Sequence, residues 1–266
     1  MKDVLIVGTG RLAKALVLRL ASREDIHLRI TGRQQTKLES WSKELGVDTF
    51  PLEAAAQHPA HIVLLAVKDS AVEPIAAASS FWSRAVVFHL SGTLPLASVA
   101  NFFPHAGVVY PLQTFALPHE VNWAEIAVLS QYTSPVAQEV GKWIVSALGC
   151  TEYPTDDEQR RRMHLCAVWA NNFTRLMLAE AQRLCEKWNL RFDLLKPLIT
   201  TTTSPGHLQH SQRDLLTGPA ARGDKPTLEA HLQMLKDDPE SYELYKLISN
   251  RIKNILKAES RNGEGS

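Results

Sequence analysis

The sequence predicts an α/β fold, a mostly parallel sheet followed by an all-helical C-terminal domain. Three observations point to it. Short β-branched runs alternate with amphipathic segments from Asp3 to Tyr153, and alternation of this kind builds a parallel sheet with helices on its faces. A run such as Ile62-Val63-Leu64-Leu65-Ala66-Val67 is apolar at every position, as a strand covered on both sides must be. Beyond Tyr153 no comparable run appears, so the remainder is expected to be helical.

In chain order, the expected strands are Val4–Val7, Leu28–Thr31, Ile62–Val67, Ala85–Leu90, Val108–Tyr110 and Ile126–Leu129. A helix is expected from about Arg11 to Leu20. The run Thr155-Asp156-Asp157-Glu158 supplies a capping box and acidic first-turn residues, which open a helix expected to reach about Trp188. Asp238 as N-cap with Pro239 behind it starts a last helix, with Tyr245, Ile248, Ile252, Ile255 and Leu256 on one face. The expected domains are residues 1–153 and 154–258, with 259–266 as a disordered tail.

A chain of 266 residues is long enough to bury a sizeable core in two modest domains. Its 29 Lys and Arg nearly balance 28 Asp and Glu, which lacks the electrostatic footprint of a nucleic-acid or anionic-membrane binder and favours a small-molecule substrate. The opening Met-Lys-Asp-Val-Leu-Ile-Val reads as a strand rather than a leader, and no apolar run is long enough for a bilayer, so the expected compartment is the cytoplasm. Cys150, Cys166 and Cys185 lack metal-ligand spacing. On one helix, about 1.5 Å per residue would hold Cys166 and Cys185 ~28 Å apart, too far to pair.

The run Gly8-Thr9-Gly10-Arg11-Leu12-Ala13 is a Gly-x-Gly-x-x-Ala turn between an expected strand and an expected helix, the Rossmann dinucleotide-binding arrangement. Gly8 permits the tight turn, Gly10 lets the backbone approach a pyrophosphate, and Ala13 lets helix and strand pack closely. The helix N-terminus then receives the phosphates. At the end of the next strand an NAD-binding protein normally carries Asp or Glu, whereas this chain has Thr31-Gly32-Arg33. A carboxylate there would repel a 2′-phosphate, while Arg33, with Thr31 and Lys37 in reach, could clamp it, so NADP is the expected cofactor. Lys68-Asp69-Ser70 after Ile62–Val67 and Ser91-Gly92-Thr93 after Ala85–Leu90 lie at the sheet edge where open α/β folds bind ligands, and are expected beside the nicotinamide. Turn and helix-cap chemistry is the plainer use of Ser91.

Several runs carry a family likeness: Ala66-Val67-Lys68-Asp69, His89-Leu90-Ser91-Gly92, Tyr110-Pro111-Leu112-Gln113-Thr114-Phe115, Ala170-Asn171-Asn172-Phe173 and Thr217-Gly218-Pro219-Ala220-Ala221-Arg222-Gly223-Asp224. With them the chain resembles bacterial proteins that pair a Rossmann-like domain with a helical C-terminal domain of unassigned function. More distantly it is similar to pyrroline-5-carboxylate reductases, deazaflavin-dependent NADP oxidoreductases and β-hydroxyacid dehydrogenases, whose helical domain closes over the nicotinamide and usually dimerises. The resemblance implies an NADP oxidoreductase acting on a small C=O or C=N substrate, with a non-catalytic NADP-binding sensor or partner-binding protein as the rival. It also shows departures. Relatives carry His-Pro where this chain has Tyr110-Pro111, and the lysine that β-hydroxyacid dehydrogenases bring to substrate on the corresponding helix is missing.

The candidate catalytic residues are therefore His164, Asn171 and Ser91. His164 and Asn171, seven residues apart, share one face of an α-helix. His164 would supply a proton, while Ser91 and Asn171 would orient the reacting group. The candidate cofactor residues are Gly8, Thr9, Gly10, Arg11, Leu12, Thr31, Gly32, Arg33, Lys37, Ala66, Val67, Lys68 and Ser91. No metal is assigned, since His207 and His210 have no third ligand in their element. Asp224 is expected to cap the helix after it, with Pro226 in the first turn; the functional alternative for this loop is Arg222 anchoring an anionic substrate or a partner subunit. Trp169, Phe173, Leu176, Met177, Leu184 and Trp188 give the long helix more apolar surface than one thin layer covers, which predicts a homodimer through the C-terminal helices.

Overall fold

In the computed structural model, the backbone is described for residues 1–263 and side chains through Lys257. The chain forms two compact units, Met1–Phe173 and Thr174 onward, so the contact boundary falls beyond the change in sequence character at Tyr153.

The first unit is built on an eight-stranded sheet. Its elements are β1 (Lys2–Val7), α1 (Arg11–Leu20), β2 (Ile26–Gly32), α2 (Gln35–Leu45), β3 (Asp48–Pro51), β4 (Ile62–Leu65), α3 (Asp69–Ala78), β5 (Val86–His89), α4 (Ala97–Ala100), β6 (Ala106–Pro111), β7 (Ala127–Tyr132), α5 (Pro135–Leu148), β8 (Thr151–Pro154) and α6 (Asp157–Ala167). The strand order is β3-β2-β1-β4-β5-β6-β7-β8. All neighbours pair parallel except β6 and β7. Each of the six expected strands is present. The short β3 and β8 were not expected, because Asp48-Thr49-Phe50-Pro51 and Thr151-Glu152-Tyr153-Pro154 hold too few apolar residues to stand out by pattern.

Alternation along the strands supplies two apolar layers. Val4 and Ile6 face one, with Leu16, Leu20, Trp41, Ile144 and Leu148. Leu5 and Val7 face the other, with Val72, Ala76, Trp82, Val99 and Phe103. At about 1.5–3 kcal/mol for each buried large side chain, these layers are what hold the sheet rigid. The order reverses direction between β1 and β4, which is where an open α/β sheet leaves a crevice at its carboxyl edge.

The capping box at α6 is set one residue later than expected. Gln159 N–H donates to Asp156 Oδ1 at 2.7 Å and Asp156 N–H donates to Gln159 Oε1 at 3.3 Å. Thr155 is not the cap, and its hydroxyl is buried without a partner. After α6 the backbone widens into a π-helical turn, Val168–Phe173, before α7 (Thr174–Lys187).

The second unit is helical: α7, α8 (Lys196–Thr202), α9 (Pro205–Leu208), α10 (Pro219–Arg222), α11 (Lys225–Met234) and α12 (Pro239–Gly263). Met177 and Leu184 of α7 border a cavity of about 360 Å³ with Ala220 of α10 and Tyr245, Ile248 and Ile252 of α12. Arg183 donates to Asp238 Oδ2 at 2.8 Å, and Asp238 Oδ1 accepts from Ser241 N–H at 3.3 Å, tying α7 to the start of α12. Asp224 caps α11, its carboxylate accepting from Thr227 N–H at 3.2 Å. Helix α12 includes Glu259–Gly263, which the sequence pattern assigns to a disordered tail; the rest of that tail lies outside the described residues. Among the described residues, no helix is long and apolar enough to cross a membrane.

Candidate functional site

Two of the concavities in the first unit gather the expected site residues. One is a cleft of about 450 Å³ at the β1–β4 switch point. It is lined by the turn Gly8-Thr9-Gly10, the start of α1, Gly32-Arg33 after β2, Lys37 of α2 and Ala66-Val67-Lys68 after β4. Gly8 sits at φ +132°, donates its N–H to Thr31 O at 2.8 Å, and leaves no room for a Cβ against the Ala66 carbonyl. Only glycine satisfies both demands. Around Gly10 the space is open, with nothing within 4 Å of the position a Cβ would take.

No side chain caps α1, and no acidic residue stands in its first turn. Its leading N–H groups are therefore directed at the cleft with the positive end of the helix dipole. Arg33 and Lys37 are exposed at the rim, and Lys37 Nζ reaches the Thr9 carbonyl at 3.4 Å. Among the described residues lining the cleft, none is acidic. Open glycine, bare helix terminus and two cations are what a dinucleotide with an extra phosphate requires, so the residues present fit NADP.

The second concavity is a pocket of about 590 Å³. Tyr110 and Gln113 from the end of β6, His164 and Cys166 of α6, and Asn171 and Asn172 of the π-helical turn line it. Tyr110 OH lies 3.0 Å from His164 Nδ1. Both rings press on Gly92, where a Cβ would fall 2.7 Å from His164 Nδ1 and 2.8 Å from Tyr110 Cζ. Burial, reinforced by the Asp69 carboxylate, pushes the Tyr110 hydroxyl above the ordinary tyrosine range, so it keeps its proton.

The loop between the two concavities is a tight polar network. Ser91 Oγ donates to Asp69 Oδ2 at 2.8 Å and accepts from the backbone N–H groups of Thr93 and Leu94, each at 3.1 Å. The Thr93 hydroxyl donates to the same carboxylate oxygen. Ser91 N–H donates to His89 Nδ1 at 3.2 Å. His89 is fully buried, and burial first, then the charge of Arg160, lowers its pKa from 6.5 to about 4. Arg160, also fully buried, donates to Gln131 Oε1 at 2.9 Å, Leu94 O at 2.5 Å and Asp157 Oδ1 at 2.7 Å. Asp157 Oδ1 in turn accepts from Leu96 N–H at 2.9 Å. Arg160 therefore fastens α6, and with it His164, to the loop after β5.

The structure sorts the expected residues. Gly8, Thr9, Gly10, Arg11, Leu12, Gly32, Arg33, Lys37, Ala66, Val67 and Lys68 line the cleft. Thr31 does not: its side chain is fully buried, and only its carbonyl serves the site, through Gly8. His164 and Asn171 share the pocket, but Lys68 and Ser91 do not line it. The Ser91 hydroxyl has its proton committed to Asp69 and both lone pairs to the backbone, so it cannot orient a reacting carbonyl or imine. Asp69, His89 and Gly92 stand in the runs that carry the family likeness but receive no individual role from the sequence, and Arg160 is not singled out at all. Only the Asp157–Arg160 spacing on one helix face hinted at an ion pair, and nothing in the sequence signals that it is buried.

A glycine turn at a topological switch point, a basic rim and a separate polar pocket define a dinucleotide-binding protein of the oxidoreductase class. The family described as NADP oxidoreductase coenzyme F420-dependent matches residues 3–88, and the family described as Domain of unknown function (DUF2520) matches residues 128–252. The crystal structure of a "putative NADP oxidoreductase" from Bacteroides fragilis is 31% identical, with 95% of this chain and 98% of that chain covered and a TM-score of 0.84. The chain belongs to this NADP oxidoreductase family. The fold is shared with an imine reductase from Myxococcus stipitatus in complex with NADP+, at 14% identity over 99% of this chain and 96% of that one, with a TM-score of 0.66. It is also shared with a Plasmodium falciparum pyrroline carboxylate reductase with NADP bound, at 13% identity over 96% and 98%, with a TM-score of 0.59. No curated protein matches the chain.

Proposed function

We propose that the protein is an NADP-dependent oxidoreductase that acts on a small C=O or C=N substrate, with His164 exchanging the proton. The observation behind this is the coincidence, in one cleft without acidic lining, of the Gly8–Gly10 turn, the uncapped start of α1, Arg33 and Lys37. When bound, the reduced cofactor supplies hydride. The chain's own part is to hold the phosphates on the α1 N-terminus and the 2′-phosphate between Arg33 and Lys37, with Lys68 near the ribose. Asn171 orients the reacting group in the pocket, and His164 holds a proton beside it; imidazole is suited to that exchange near neutral pH.

An assay of NADPH oxidation across small carbonyls and imines tests this reading. With a turned-over substrate in hand, His164→Ala is expected to lower kcat by ~10²–10⁴-fold while NADPH affinity stays nearly the same. Tight NADPH binding with no turnover of any compound would favour the sensor instead.

The same reading takes the protein as a cytoplasmic homodimer. Trp169 is 65% exposed, with Phe173 against its edge, and Leu176 and Trp188 are exposed as well. Exposed apolar side chains of this size support a partner surface. Met177 and Leu184 instead border the cavity of the second unit. Light scattering at micromolar concentration is expected to give twice the chain mass, and a monomer would refute the dimer.

A further inference from the structure

We infer that Tyr110 is the positioning residue for His164: its hydroxyl engages Nδ1 in both protonation states, so that Nε2 is always the nitrogen presented to the pocket. The inference rests on the oxidoreductase reading above and deepens it.

Three observations support it. The Tyr110 hydroxyl, 3.0 Å from Nδ1, is the only hydrogen-bond partner of the imidazole among the described residues, and His164 otherwise faces the pocket. The pair has no slack, because Gly92 backs both rings so closely that even a methyl group would overlap them. Finally, partial burial and then the charge of the Asp69 carboxylate raise the Tyr110 hydroxyl above the ordinary tyrosine range, so it stays protonated. A protonated phenol both donates and accepts, whereas a carboxylate or an ammonium at that place could do only one.

The proton accounting follows. In the imidazolium form both ring nitrogens are donors, so Nδ1–H is given to the Tyr110 oxygen and Nε2–H points at substrate. On transfer the Nε2–H bond breaks and an O–H or N–H bond forms on the substrate, leaving a neutral ring whose proton is on Nδ1 and still given to the Tyr110 oxygen; a hydronium ion from solvent then reprotonates Nε2 and restores the imidazolium. Where the imidazolium instead gives up its Nδ1 proton to solvent, the Tyr110 hydroxyl turns and donates to the bared Nδ1, since an imidazole nitrogen is a far stronger base than a phenol oxygen. The remaining proton is thereby confined to Nε2. Without the hydroxyl, either tautomer can form and part of the population presents the wrong nitrogen.

The test is the ¹⁵N spectrum of the histidine rings in full-length protein at a pH where they are neutral, with the His164 signals identified by their loss in His164→Gln. In the parent protein Nδ1 is expected bare and Nε2 protonated. Tyr110→Phe is expected to give a tautomer mixture and, where a substrate is known, to lower kcat by about tenfold at unchanged NADPH affinity, the loss that one neutral hydrogen bond accounts for. Gly92→Ala, which forces the pair apart from the other side, is expected to blur the spectrum in the same way. A parent spectrum with the proton on Nδ1, or a Tyr110→Phe spectrum identical to the parent, overturns the assignment. The spectrum is read without turnover, so a protein that fails to bind NADPH would sink the cofactor reading alone.

Discussion

The cleft and the pocket of the first unit are built on opposite principles. The cleft is mostly backbone: a glycine that must be glycine, a bare helix terminus and the ends of β1, β2 and β4. The pocket is mostly side chain, with Tyr110 from β6, His164 from α6 and Asn171 from a π-helical turn. It is held in place by a buried arginine and a loop of hydroxyls closed on Asp69. A backbone site tolerates little substitution but binds a common chemical group; a side-chain site can be rebuilt around a new substrate. One family can therefore keep a cofactor while its pockets diverge.

The largest effect that could break this contrast is at Gly8. Gly8→Ala must place a methyl against the Ala66 carbonyl at a left-handed φ, and is expected to cost about 3 kcal/mol or more of stability as well as cofactor binding. A denaturant midpoint close to the parent's would show that the turn is not as rigid as its geometry implies.

A comparable effect, on the pocket side, is a pH dependence. His89 is held near pKa 4 when folded against 6.5 ordinarily, so between those values the unfolded chain binds more protons than the folded one. Stability is therefore full above about pH 6.5 and falls as the pH drops toward 4, by about 3 kcal/mol in all from this group. Thermal unfolding from pH 7 to pH 4 measures it, and His89→Gln is expected to flatten that part of the curve. An equally steep curve in the variant would assign the acid lability elsewhere.

The smallest effect on stability, and the sharpest on function, is at Gly10. Its Cβ position is open and its backbone is ordinary, with φ −82° and ψ −178°. Gly10→Ala is accordingly expected to leave stability within about 0.5 kcal/mol, while weakening NADPH by crowding the phosphates. Lost stability with intact binding would invert the roles given to the two glycines.

The same contrast explains what the sequence made legible. Six strands, the glycine turn and the Arg33 rim follow from local pattern, because apolar alternation and turn chemistry are written in consecutive residues. The pocket required knowing which distant residues meet. Seven residues of ideal α-helix would bring Asn171 beneath His164, and both do line the pocket, yet the path between them ends in a π-helical turn that no local pattern announces. Ser91 looked free for chemistry because the sequence does not reveal that Asp69, 22 residues earlier, claims its hydroxyl. Thr31 looked like part of the rim because a strand-end residue can face either the cleft or the core, and this one faces the core.

The central claim is that the cleft is built for NADP, and titration of the parent protein and Arg33→Asp with NADPH and NADH tests it most directly. NADPH is expected to bind the parent more tightly, and the substitution to remove or reverse that preference by losing a charge-assisted contact worth about 1.5–3 kcal/mol. Equal affinities for the two cofactors in the parent protein would contradict the claim.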